Sequence, residues 1–182
     1  MNTQDRAMTS EELLASFAQA APEGQTLETE YKLCPEFESA TLRVKKAEIT
    51  APKLSAKGEQ SRYWAQLRIT YVVDEEEARE AMMRDEATIN HSVMITCLPS
   101  GQFDWNNNQR LGRFLLSHGV DVKSGNPITW AEDLVGRSVK GKIIHAPAMD
   151  KNPDTGVYDL ARVDDEGEQV YNAEVSAVSR FD

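Results

Sequence analysis

A chain of 182 residues that is 40% hydrophobic and 27% charged can bury a core without disulfide staples, and this make-up excludes a disordered chain. No apolar run approaches the roughly 20 residues that span a bilayer, and the start, "MNTQDRAMTSEELL", lacks the basic-then-apolar order of a secretory signal. The net charge of −10 argues at first sight against a polyanionic partner, but the charge is unevenly spread.

In chain order, Thr9 to Glu12 has the spacing of a capping box. Leu13, Leu14 and Phe17 continue it as an apolar stripe that Pro22 and Gly24 end. Residues 1–38 therefore read as an N-terminal helix and acidic arm, and the helix offers a surface for a homodimer. Residues 39–182 read as one domain. Its first strand is "ATLRVKKAEIT", with Leu42 and Val44 on one parity and Ala47 and Ile49 on the other. The change at Lys45-Lys46 predicts a β-bulge. After the loop "APKLSAKGEQS" comes "RYWAQLRITYVV", a strand with strict alternation. An acidic helix follows in "DEEEAREAMMRDEA", its early acids suiting a helix N-terminus. "TINHSVMITCL" is the third strand, with Ile89, His91, Val93, Ile95 and Cys97 on one face.

Pro99 to Gly101 turns the chain into a helix within "FDWNNNQRLGRFLLSHGVD". Asn106 or Asn107 is the expected N-cap, and Gly119 the stop. "ITWAEDLVGRS" predicts one helical turn ended by Gly136. The fourth strand is "SVKGKIIHAPA", "MDKNPDTGVYD" is turn chemistry, "VYDLARV" is the fifth strand, "DDEGE" an exposed acidic turn and "QVYNAEVSAVSRF" the closing strand. The fold class is mainly β with helical decorations. Its order fits an OB-like barrel of five to six strands with a helix between strands three and four; a β-sandwich with helices gives a similar order.

Charge alternates along this order. Residues 41–73 carry 7 bases and 2 acids, whereas residues 74–86 carry 7 acids and 2 bases. A local basic face can attract an anion despite distant acids, because screening acts over about 8 Å at physiological salt. On the second strand, Arg62, Trp64, Gln66 and Arg68 share the face away from the core. Single-stranded nucleic acid binds where aromatic rings lie beside positive charge. In an OB-fold the binding face is strands two and three with the loops joining strands one to two and four to five. Lys45, Lys53 and Lys57 fall near the first of these loops, and Lys151 and Tyr158 in the second. The candidate DNA-binding residues are therefore Lys45, Lys53, Lys57, Arg62, Trp64, Arg68, Lys151 and Tyr158. The competing reading covers Trp64 with the acidic helix or the arm and pairs the arginines with glutamates. Phe103, Trp105 and Arg110 could extend a stacking track, but aromatics so placed more often anchor a helix start.

Catalysis finds little support. His91, His118 and His145 are scattered, with no metal-ligand spacing to Cys34 or Cys97. No phosphate-binding glycine loop or hydrolase motif occurs. The two cysteines read as free thiols of a reducing cytoplasm rather than as one disulfide.

"LRVKKAEI…RYWAQLRITYVV", then "RLGRFLLSHG" with "DLVGRSVKGKI" at this spacing, and a closing "YNAEVSAV", resemble a family of small proteins of tailed bacteriophages. These are encoded near replication and recombination genes and are regarded as single-stranded-DNA-binding proteins with an OB-like barrel. The resemblance covers about three quarters of the chain. It implies a non-catalytic, sequence-tolerant DNA-binding protein of phage replication or recombination, in the cytoplasm of the bacterial host. It implies no cofactor, single-stranded DNA as partner, and phage or host replication and recombination proteins as further partners. The alternative is an acidic protein-interaction module on the same barrel, able to mimic DNA toward a basic partner.

Overall fold

The computed structural model describes residues 32–55, 62–154 and 156–180. The predicted N-terminal helix and Lys57 lie outside them. Lys32–Asp182 forms one compact unit. Its elements in chain order are β1 (Phe37–Ile49), β2 (Lys53–Ser55), β3 (Arg62–Val73), α1 (Glu76–Met82), β4 (Thr88–Thr96), α2 (Gln109–Ser117), α3 (Pro127–Leu134), β5 (Ser138–Pro147), β6 (Met149–Lys151), β7 (Tyr158–Ala161) and β8 (Tyr171–Arg180). The protein is mainly β, and its principal sheet is antiparallel with six strands.

β3 is the spine of the sheet. Along one edge it pairs with β4 from Trp64↔Thr96 to Val72↔Thr88. Along the other, β1 covers Leu67 to Val73 and β2 covers Arg62 to Trp64. Thr50 bridges the interval: its N–H donates to the Gln66 carbonyl at 2.9 Å, and its hydroxyl accepts from the Gln66 N–H at 2.9 Å. β1 pairs in turn with β5, and β5 with β8. The strand order is thus β4-β3-β1-β5-β8, and β4 and β8 contact each other at its two ends. α2 packs on both of these strands, and α3 packs on β1.

The alternation of β3 explains the core. Ala65, Leu67, Ile69, Tyr71 and Val73 are buried, while the intervening residues down to Thr70 are half-buried or exposed. The predicted bulge lies at Val44/Lys46, where the register shifts. There the Val44 carbonyl accepts from the Gly136 N–H and the Val44 N–H donates to the Arg137 carbonyl, both at 2.8 Å. Val44 thus also ties β1 to the junction between α3 and β5. On β5, Gly141 is required by packing: a Cβ there would stand 2.2 Å from Leu42 Cδ1, and Leu42 is fully buried.

Two buried polar groups settle their own geometry. The His118 Nδ1 lies 2.8 Å from the Phe114 carbonyl, which can only accept, so Nδ1 carries the proton. Nε2 then accepts from the Tyr71 hydroxyl at 2.8 Å. Burial lowers the pKa of His118 and raises that of Tyr71, so both stay neutral. Cys34 and Cys97 are free and buried, and burial pushes the Cys34 thiol up to about 11. The unit begins upstream of the predicted boundary at residue 39, since His145 Nε2 donates to the Cys34 carbonyl at 2.8 Å and the His145 N–H donates to Glu36 at 2.7 Å.

Three local readings are corrected. "VYDLARV" yields only β7, which pairs with β6 in a separate two-stranded sheet; the fifth long strand of the principal sheet is β8. The N-cap of α2 is Asn108, whose side chain serves β4 instead of the helix. The single turn predicted after Asn126 is an eight-residue helix, because Asn126 and Thr129 form a reciprocal cap with Pro127 at the first position.

Candidate nucleic-acid interface

The outward face of β3 and its neighbours carries the candidate site. Trp64 sits there half-buried, with Lys53 of β2 opposite it on one side and Thr96 of β4 on the other. Arg62 and Arg68 are exposed on the same strand face, two residues before and four after it. The period-2 geometry of the strand and the register of β2 thus bring Lys53, Arg62, Trp64 and Arg68 onto one surface.

The acidic segment does not cover Trp64. Asp74 and α1 follow the far end of β3, about 30 Å along the strand from Trp64 at roughly 3.3 Å per residue. There the acids engage β1: Arg43 pairs with Asp74 at 3.2 Å, Lys45 with Glu86, and Glu75 accepts from the Thr41 N–H at 2.8 Å. Lys45 is therefore held by a carboxylate at a distance from the tryptophan. Lys151 and Tyr158 face each other as cross-strand partners in the β6–β7 hairpin, and Tyr158 is 68% exposed.

The middle of the face is amphoteric. Glu48 lies opposite Arg68 in register and 2.7 Å from Lys46. The Lys46 hydrogen bond, its charge and that of Arg68 hold the Glu48 carboxyl below its usual range. Lys46, Glu48, Gln66, Arg68, Thr70, Asn90 and Ser92 line an open depression of about 420 Å³. Sequence reading missed the β4 side of it. Asn90, Ser92, Met94 and Thr96 project outward, exposed and without formal charge. The signal lay in the same alternation that placed His91, Val93 and Ile95 inward. Such a row offers hydrogen bonds and a thioether to a base without repelling or attracting a phosphate.

At the end of β4 the loop is built rigidly. Asn108 spans the Thr96 backbone, accepting from its N–H at 2.8 Å and donating to its carbonyl at 2.9 Å. Asp104 accepts from the Asn107 side chain at 2.7 Å and the Asn106 N–H at 2.9 Å, and these bonds keep its carboxyl low. Phe103 bridges to Cys97 and packs against the core, as expected of an anchor. Trp105 instead remains 64% exposed.

Among the described residues, no group of three or more His, Cys, Asp or Glu is placed to hold a metal ion. No helix among them is long and apolar enough to cross a membrane. Comparison with family models, curated proteins and solved structures returns no match to this chain.

Proposed function

We propose that the chain is an OB-type, sequence-tolerant single-stranded-DNA-binding protein of bacteriophage replication or recombination, acting without catalysis. The strand order supports the fold. The first long strand pairs with the second and fourth, the second with the third, and the fourth with the fifth. The third and fifth meet, and two helices separate the third from the fourth. This order supports reading the sheet as a partly open five-stranded barrel, in which the second and third strands would form the binding face.

The observation that carries the function is the setting of Trp64. An indole that is only half-buried lies on the outward face between Lys53 and an uncharged strand, with Arg62 and Arg68 beside it. Bases would stack on the ring, and Lys53, Arg62 and Arg68 would neutralise phosphates and release counterions. The β6–β7 hairpin, which lies between the fourth and fifth long strands, would add Lys151 and Tyr158. Titrating wild-type protein into labelled oligothymidine at low and moderate salt tests this: binding should occur and weaken as salt rises. No binding at low salt would favour the second reading, an acidic protein-interaction module. That reading draws on the exposed Leu160 and Val163 set among the acids of residues 159–168.

A further inference from the structure

We infer that Trp105 is a second base-stacking platform, placed so that one single strand of DNA runs from Trp64 past Thr96 onto it. This rests on the DNA-binding reading above and extends it to a residue outside the β-sheet.

Trp105 stands out among the three tryptophans. Trp130 is buried and donates its indole N–H to the Ser124 carbonyl at 2.7 Å. Trp64 is half-buried on the sheet. Trp105 is the most exposed, although its neighbours in the loop are tied by hydrogen bonds. Its backbone follows Asp104, whose N–H donates to the Thr96 carbonyl at 3.2 Å and whose carboxylate gathers Asn106 and Asn107. Its ring meets Phe103 at 5.0 Å and 78°, and Trp130 at 5.8 Å and 83°. Neither neighbour stacks on it face to face. A large ring held edge-to-face by two anchored aromatics, on a pinned backbone, is preorganised and open.

Its distance from the first platform is fixed by the sheet. Thr96 is the cross-strand partner of Trp64, and Asp104 is hydrogen-bonded to Thr96. Antiparallel partners stand about 4.5–5.5 Å apart and successive residues 3.8 Å apart, so the Trp64 and Trp105 backbones lie within about 15 Å. A few nucleotides bridge that gap. The stretch between carries no acid beyond Asp104, whose carboxylate is occupied by the asparagines.

The test uses the full chain, oligothymidine of about 12 nucleotides, a length within the range bound by one OB-fold, and a thymidine trinucleotide. Trp105→Ala should weaken binding of the longer strand about fivefold or more, and of the trinucleotide far less. Trp105→Phe should restore it. In Trp64→Phe protein, the longer strand should still quench tryptophan emission, because Trp130 is sheltered and Trp105 alone can stack. Unchanged affinity in Trp105→Ala, with no quenching in Trp64→Phe, would overturn the second platform while wild-type binding keeps the function intact. Wild-type protein that binds neither strand would overturn both.

Discussion

Replacing both Arg62 and Arg68 by alanine should flatten the salt dependence of DNA binding more than it changes the fold. Lys53, Arg62 and Arg68 share the face of Trp64. Neutralising a phosphate on a single strand contributes about 0.7 to the slope of log affinity against log salt. With Lys151 of the β6–β7 hairpin, four contacts give a slope of about −2.8, so wild-type binding should weaken by roughly 49-fold between about 50 and 200 mM salt. The double variant keeps Lys53 and Lys151, a slope of about −1.4 and a loss of roughly 7-fold over the same range. Both arginines are exposed, and thermal unfolding should be nearly unchanged. The assay is fluorescence anisotropy of labelled oligothymidine at four or more salt concentrations. A double variant with the wild-type slope would show that phosphates lie elsewhere and refute the placement of the strand on this face.

Two further outcomes concern the scaffold. Gly141→Ala should lower the midpoint of thermal unfolding by several degrees, because the new methyl meets the fully buried Leu42 at 2.2 Å and overpacking costs about 1–3 kcal/mol; an unchanged midpoint would mean β1 and β5 are less tightly joined. Stability should also fall as pH drops below about 6.5, the ordinary histidine value. Burial depresses the folded-state pKa of His118, and of His91 together with the charge of Arg110, so the unfolded chain takes up protons first. The contribution is fully present above that pH and fades below it. His118→Gln should reduce the pH slope measured by denaturant unfolding between about pH 7.5 and 5.5, whatever it does to stability at neutral pH.

Much of this architecture could be read from alternation alone. The bounds of β3, the inward set of β4 and the bulge after Val44 all follow from side-chain parity. Period-2 signals fail where a strand has only three residues, so the sequences of β2 and β6 read as loop. They fail too where a strand pairs away from the principal sheet, as β7 does. Parity told which face Trp64 occupies. It could not tell what covers that face, because this depends on where α1 and its acids go after β3 ends. The same limit applies at Asn108, whose preference for capping was outweighed by two hydrogen bonds to Thr96, a residue 12 positions away. Trp105 reads as an anchor like Phe103; local sequence does not separate the two rings, whereas in the structure Phe103 bridges to Cys97 and packs on the core and Trp105 stays 64% exposed.

The central claim is that the Trp64 ring stacks a base, and the most direct measurement is the affinity of Trp64→Ala for oligothymidine beside that of wild type at one low salt concentration. Stacking of about 1–3 kcal/mol per base predicts a loss of at least about fivefold, with thermal unfolding close to wild type and the salt slope preserved. Binding as tight as wild type by a folded Trp64→Ala protein would contradict the account.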